Sequence, residues 1–271
     1  MSLQLGSSSL KGRRALVCAS TRGLGLGTAK ALLQLEVDSV AINGRTTESV
    51  KAAIDKLIQD SDDQSIDQQR LVAAPGDVST QEGRTAVLKA AGPVQILVNN
   101  AGGPPPGDFD SFDESAWHAA LEQNMVAPLM LAKAAIPYMK DKKWGRIVNI
   151  TSASVRAPIP ILCLSNGARA GLTGAMAGIA RQVACDGITV NNVLPGQHDT
   201  DRLRSNHETL AARQGVEVAQ VRKEAQNKIP TKSFGDPNDF GAIVAFLCTD
   251  QAKFIVGQNI MVDGGAANIS I

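Results

Sequence analysis

Aromatic side chains are scarce in this chain of 271 residues: Phe, Trp and Tyr make up 3% of it, and its one tyrosine is Tyr138. Alanine and glycine fill the helical segments instead, which points to closely packed helices rather than a large aromatic pocket. Charge of one sign is also lacking: a formal net charge of +1 with 20% charged residues gives no basic face for nucleic acid and no acidic tail. A small neutral or anionic molecule is the better-matched ligand. No run approaches the roughly 18 apolar residues of a membrane span, and the polar stretch from Met1 to Gly12 lacks the apolar core of a secretory leader. A soluble, cytoplasmic protein is expected. Cys18, Cys163, Cys185 and Cys248 are scattered, without metal-ligand or disulfide-framework spacing, so a reducing compartment and no metal site are expected. Neither a Pro/Ser-rich linker nor an internal repeat divides the chain, and 1–271 reads as a single domain.

What the chain has is alternation. Short apolar runs, at Arg14 to Cys18, Val40 to Asn43, Leu71 to Ala74, Ile96 to Asn99, Ile147 to Ile150, Ile188 to Val193 and Asn259 to Val262, are separated by segments with helical periodicity. That pattern predicts βαβ units and a parallel sheet. Gly25 to Leu35 reads as the first helix. A Gln/Asp-rich stretch from Asp60 to Gln69 reads as a solvated loop, and Phe112 to Lys140 is long enough for two helices, the second starting near Pro128. The exception to the alternation is the polar, helix-prone segment 197–232 after the sixth strand. Ligands of open α/β sheets bind beyond the carboxyl ends of the strands, so this insertion is read as a helical lid, with a plain solvated excursion as the alternative.

The first strand runs into Cys18-Ala19-Ser20-Thr21-Arg22-Gly23-Leu24-Gly25 and then a helix. Glycines there let the backbone approach a pyrophosphate, and the helix N-terminus offers it free N–H groups. The second strand ends in Asn43-Gly44-Arg45-Thr46, without the acid that would accept hydrogen bonds from a free ribose 2'-hydroxyl. Arg45, helped by Arg22, suits a 2'-phosphate instead. NADP(H) is therefore the expected cofactor. Gly76-Asp77-Val78 follows the third strand and Asn99-Asn100-Ala101-Gly102 the fourth. With Gly145 to Ile150, Pro195-Gly196 and Val262-Asp263-Gly264-Gly265, the chain resembles the short-chain dehydrogenase/reductase family from Lys11 to Gly265, most closely its 3-oxoacyl-carrier-protein reductase-like members.

The resemblance implies a Rossmann-type, doubly wound, seven-stranded parallel sheet with helices on both faces. It also implies roles. Asp77 would hold the adenine amino group and Val78 line the adenine site; Asn100, Ala101 and Gly102 would pass beneath the adenosine ribose; Pro195 and Gly196 would border the nicotinamide. The family's first turn glycine is Ala19 here. Its catalytic set is an asparagine, a serine, and a tyrosine and lysine one helical turn apart. Asn124 and Ser152 match the first two, but the other positions hold Ser165 and Arg169. A serine hydroxyl is a far weaker acid than a phenol, and arginine cannot release a proton in a relay.

Several readings of these two positions stand. Ser152, with Ser165, can orient a substrate oxygen while Arg169 holds the nicotinamide ribose and Asn124 orders water, the proton coming through water or from a lid residue such as His198. Alternatively Ser165 caps its helix and Arg169 points to solvent. The expected activity is a carbonyl/alcohol oxidoreduction with an altered catalytic set. Its rivals are a non-redox isomerase, lyase or cyclase on the same scaffold, and a cofactor-binding protein without catalysis. The resemblance further implies a homotetramer or homodimer, built on the helices of Pro128 to Lys140 and Ala168 to Cys185 and on the last strand.

Overall fold

The computed structural model describes residues 9–60 and 67–269. Seven strands form one parallel sheet in the order β3-β2-β1-β4-β5-β6-β7. They are β1 (Arg14–Val17), β2 (Ser39–Gly44), β3 (Leu71–Pro75), β4 (Ile96–Asn99), β5 (Gly145–Ile150), β6 (Ile188–Pro195) and β7 (Asn259–Val262). Each coincides with an expected run to within two residues at either end, because a strand covered on both faces is apolar throughout and stands out as a run. The order reverses between β1 and β4, so a crevice opens beyond their carboxyl ends.

Three helices, α1 (Gly23–Gln34), α2 (Thr47–Gln59) and α9 (Pro237–Leu247), supply Leu32, Leu57 and Phe240 to the core on one face, where Val17 and Ile42 of the sheet also point. The other face carries α3 (Gln81–Ala91), α5 (Ala127–Asp141) and α6 (Cys163–Val183), which pack Val87, Met139 and Met176 against Leu16, Leu97 and Ile147. Full burial of each such side chain contributes on the order of 1.5–3 kcal/mol. Two further helices, α7 (Asp201–Gln214) and α8 (Val218–Lys228), occupy the insertion after β6. No described helix is long and apolar enough to cross a membrane.

The segment between β4 and β5 holds the two expected helices, the second beginning at Ala127 with Pro128 in its first turn. They are joined without a loop, because α4 (Glu114–Leu121) continues through a π-helical turn, Glu122–Val126, directly into α5. The backbone stays helical at both junctions, Glu122 (φ −57°, ψ −52°) and Val126 (φ −68°, ψ −47°). Pro128 has no N–H to give to the carbonyl four residues back, that of Asn124, and the wider turn absorbs this defect without a break. The expected loop over 60–69 lies mostly outside the described residues, as does most of the polar start. Where the chain resumes, Asp67 accepts from the Gln69 amide at 2.9 Å and begins the short turn Gln68–Arg70.

Across the carboxyl half of the sheet, four asparagines stand in register on adjacent strands. Asn99 Nδ2 donates to Asn149 Oδ1 (2.9 Å), Asn149 Nδ2 to Asn192 Oδ1 (2.9 Å), and Asn192 Nδ2 to Asn259 Oδ1 (2.8 Å). A chain of buried amides is stable only when its members satisfy one another. This one locks four strands at the edge of the crevice.

Candidate active site

On the β1–β4 side of the crevice, the first turn is stitched to its neighbours. Asn100 Nδ2 donates to the Ala19 carbonyl at 3.1 Å, and a Cβ at Gly25 would run into that same oxygen and stand 2.9 Å from Asn100 Nδ2. Only glycine fits at 25. Ala19 holds a left-handed φ of +45°, a conformation that costs a residue with a Cβ roughly 1–2 kcal/mol. Arg22, extended, precedes α1 without a side-chain cap, and the first turn of that helix carries no acid. Its leading N–H groups, at Gly23, Leu24 and Gly25, therefore remain available to an anion.

Two of the expected cofactor residues have other work for their side chains. Ser20 Oγ donates to Val17 O (2.7 Å) and accepts from Asn43 N (3.0 Å). Asn43 accepts from Ala19 N (3.0 Å) and donates to the carbonyls of Ala74 (2.9 Å) and Gly76 (3.0 Å). Both are buried, so they shape the turn from behind rather than facing a ligand. Thr21 packs its methyl against Gly44. Beyond, Arg45 is exposed, and Thr46 caps α2 by accepting from Ser49 N at 3.2 Å. Asp77 Oδ1 accepts from Ser79 N (2.9 Å) and Ser79 Oγ (2.7 Å), Oδ2 making no such bond among the described residues, and half-buried Val78 packs on the core.

On the β5–α6 side, Ser152 is half-buried at the head of a short turn, Ala153–Val155, and its Oγ accepts from Ser154 N at 3.1 Å. The capping alternative for Ser165 does not hold. The cap position of α6 is Leu162, and Ser165, 6% exposed, is the helix's third residue. Nor does Arg169 reach solvent. At 7% exposure, its Nη1 donates to the carbonyls of Ile150 (3.1 Å) and Thr151 (2.6 Å), and its Nη2 to that of Ala101 (3.3 Å). No carboxylate pairs with it among the described residues. Burial, then repulsion from the Arg202 guanidinium, lowers Arg169 to about 10. It remains a cation at neutral pH.

Asn124 sits in the π-helical turn, where its Nδ2 donates to Ala120 O at 3.4 Å. Its Oδ1, Asn99 Oδ1 and Arg169 Nε are buried without a hydrogen-bond partner among the described residues. All three residues line a partly open cavity of about 10 Å³, along with Ile150 and Leu172. That is the room one water needs. Tyr138 is far from this group, near the other end of α5, roughly 20 Å along the helix from Asn124; Lys142 Nζ lies 5.4 Å from its ring centroid.

The insertion is tied down at its base. Gly235 N donates to Gln197 O (3.0 Å) and Asp199 N to Gly235 O (2.9 Å), so Pro195 and Gly196 lead into a fixed loop, not a loose one. His198, expected on an exposed lid, is 6% exposed. Its ring stands edge-on to Phe240 (5.0 Å between centroids) and against Gly235, with Nδ1 3.3 Å from Gly196 O. Burial depresses its pKa despite the Gly196 carbonyl. The ring's contacts are those of a packed side chain, and none is with Ser152, Ser165 or Arg169.

The family model described as enoyl-(acyl carrier protein) reductase matches residues 18–267. The chain belongs to the short-chain dehydrogenase/reductase family. Among curated short-chain relatives, the NADPH-dependent reductase BacG of Bacillus subtilis (strain 168) is 28% identical over 94% of this chain and 97% of its own length. The 3-oxoacyl-[acyl-carrier-protein] reductase FabG of Vibrio cholerae is 31% identical over 94% and 98%. The crystal structure of YwfH, an NADPH-dependent reductase involved in bacilysin biosynthesis, superposes with a TM-score of 0.86 at 27% identity, covering 95% of this chain and 99% of that one.

Two residues of this short-chain scaffold escaped the sequence reading. Thr200 caps α7, accepting from Leu203 N (3.3 Å), and its Cγ2 lies 3.3 Å from where a Cβ of Gly23 would be. It links the loop after β6 to the first glycine turn. Arg202, two residues on, donates to the carbonyls of Gly103 (3.0 Å) and Pro104 (3.2 Å). The stiff Pro-rich segment after β4 is thus held by the insertion across nearly a hundred residues of sequence, a contact no local signal reveals.

Proposed function

We propose that the chain is an NADP(H)-dependent oxidoreductase of carbonyl and alcohol substrates that works with a serine and an arginine where its relatives' motif has tyrosine and lysine. The observation that carries this reading is the Arg169 guanidinium, buried beside Asn124 and Ala101 with neither a partner for its Nε nor an acid to neutralise it among the described residues. The first turn fits a dinucleotide: an uncapped, acid-free helix start, a glycine with no room for a Cβ, and Arg22 and Arg45 exposed nearby. Arg45 would hold a 2'-phosphate, Thr21 to Gly25 the pyrophosphate, Asp77 and Val78 the adenine, Asn100 to Gly102 the adenosine ribose, and Pro195, Gly196 and Thr200 the nicotinamide end. The names of BacG and YwfH support NADPH as the partner.

When bound, the nicotinamide supplies or accepts a hydride at the substrate's reacting carbon. Everything else falls to this chain's own side chains. Ser152 Oγ, and Ser165 from α6, would orient the substrate oxygen. Arg169 Nε would donate to a ribose hydroxyl, and its fixed charge favours the alkoxide that forms on hydride addition. Because Arg169 keeps its proton at neutral pH, it holds charge without relaying protons. Asn124 Oδ1 and Asn99 Oδ1 would accept from a water in the small cavity, which brings the proton. Without a phenol as acid, ordinary ketones should be reduced on the order of 10² to 10⁴ times more slowly than with one. A lid role for 197–232, a cytoplasmic setting and a homotetramer or homodimer complete the reading; exposed Ile243, Phe246 and Phe254 near the last strand support the assembly.

The test is NADPH oxidation across a panel of ketones and oxo acids, with Ser152→Ala beside the wild type and NADH as the competing cofactor. Turnover that Ser152→Ala abolishes, with an NADPH preference that Arg45→Ala removes, is expected. Conversion without change in NADPH absorbance would favour a non-redox reaction, and tight NADPH binding with no turnover a binding protein.

A further inference from the structure

The arginines at the base of the insertion are treated unequally. Arg204 is neutralised by Asp199 and Asp201, each at 3.1 Å, and Arg222 by Asp199 at 3.0 Å, its guanidinium also 5.0 Å from the Phe234 ring centroid. Arg202 meets no carboxylate among the described residues. It turns away from α7 and donates through Nη2 to Gly103 O and Pro104 O, which leaves Nε and Nη1 of its donor fork uncommitted. Glycines make room for it: a Cβ at Gly103 would stand 3.2 Å from Nη1 and from Nη2.

Above Gly102 the donors converge. The position of a Cβ there is 3.8 Å from Arg202 Nη1 and 3.8 Å from Gln123 Nε2. Gln123 immediately precedes Asn124, and Arg169 donates to Ala101, one residue before Gly102. Two guanidinium groups therefore straddle Ala101 to Pro104, one buried beneath and one at the mouth. Burial, then repulsion from Arg202, lowers Arg169, and burial, then repulsion from Arg22, lowers Arg202 below the usual guanidinium value. Asp199 and Asp201 are spent on Arg204 and Arg222 and do not pair with Arg202.

We infer that Arg202, with Gln123, binds the carboxylate of an oxo-acid or hydroxy-acid substrate whose reacting oxygen lies at Ser152. With Nη2 engaged, Arg202 Nη1 and Gln123 Nε2, each 3.8 Å from the same point over Gly102, would donate to the two oxygens of one carboxylate. The pyrophosphate already has the α1 N-terminus and the 2'-phosphate has Arg45, whereas Arg202 and Gln123 meet over Gly102, and Gln123 adjoins Asn124. This assignment of substrate class rests on the oxidoreductase reading for the place of the reacting oxygen, but it is tested by binding alone.

The protein loaded with NADP⁺ is titrated calorimetrically, in phosphate-free buffer, with 2-oxobutanoate, acetoacetate and levulinate and with their methyl esters. At least one acid should bind ten or more times tighter than its ester. Arg202→Ala should erase that ratio, Arg202→Lys should retain part of it, and NADPH affinity should stay within threefold. No acid preference anywhere in the panel, or a preference that survives Arg202→Ala, overturns the inference. So does Arg202→Ala weakening NADPH tenfold or more while the acid-to-ester ratio is unchanged, which would give Arg202 to a cofactor phosphate. Absence of hydride transfer in the turnover assay would count against the oxidoreductase reading and leave these binding ratios intact.

Discussion

Around the first turn and across the sheet, Ser20, Asn43 and the four in-register asparagines spend their polar atoms on one another and on the backbone. Around α6, by contrast, Asn99 Oδ1, Asn124 Oδ1 and Arg169 Nε are buried with no partner among the described residues, and a cation lies in the core of the site without an acid. An unpartnered buried polar atom costs on the order of 1–3 kcal/mol. A fold carries such costs where a ligand or a water is to be met, and not in its frame. Asn99 belongs to both regions, donating into the amide chain and also lining the cavity.

The largest effect should come from cutting that chain. Asn149→Ala leaves Asn192 Oδ1 without its donor and takes Asn149 Oδ1 from Asn99 Nδ2, which keeps only the 3.3 Å bond to Pro128 O. Denaturant unfolding should show a loss of about 1–3 kcal/mol for each group left unpaired; a loss under about 0.5 kcal/mol would mean the frame does not depend on it. Gly25→Ala comes next. Its Cβ meets backbone rather than a flexible side chain, so overpacking of about 1–3 kcal/mol is expected, and NADPH affinity measured by calorimetry should fall with it.

The way these regions read in the sequence differs for a physical reason. Seven apolar strands, the glycine turn and the register that put Ser165 and Arg169 on one helix were legible, because runs and local motifs report chain neighbours. Side-chain direction was not. Nothing local says that Asn43 turns back to Ala19, Ala74 and Gly76, or that His198 folds onto Phe240, forty-two residues later. Pro128 marks the start of α5 in the sequence; the π turn that joins α5 to α4 leaves no composition signal. Thr200 and Arg202 do their work across the crevice, where only the fold brings Gly23 and Gly103 near them.

Smaller changes sharpen the contrast. Ala19→Gly relieves a left-handed alanine but adds freedom to the unfolded chain, two effects of about 1 kcal/mol that oppose each other. Stability should stay within about 1 kcal/mol, and a larger loss would show that the methyl is part of the packing. The smallest effect is the pH dependence from His198. Its folded pKa is depressed, so its contribution is complete above the unfolded value near ~6.5 and is lost as pH falls through the lower folded value. His207 shifts the same way. Denaturant unfolding at pH 7 and pH 5 should therefore show a smaller acid-side loss in His198→Asn than in the wild type, reduced but not abolished; an unchanged slope would contradict the packed, neutral ring.

The central claim is that an ordered cofactor frame surrounds a proton path lacking its phenol and ammonium. The direct measurement is NADPH-dependent reduction of a simple ketone, as a function of pH, by the wild type and by Ser165→Tyr/Arg169→Lys. The account predicts a gain on the order of 10² to 10⁴, with a new alkaline limb from the tyrosine and lysine and an NADPH affinity little changed. A double variant that binds NADPH as before but gains nothing would contradict it, and would mean that the pocket above Ser152 is shaped for a different reaction.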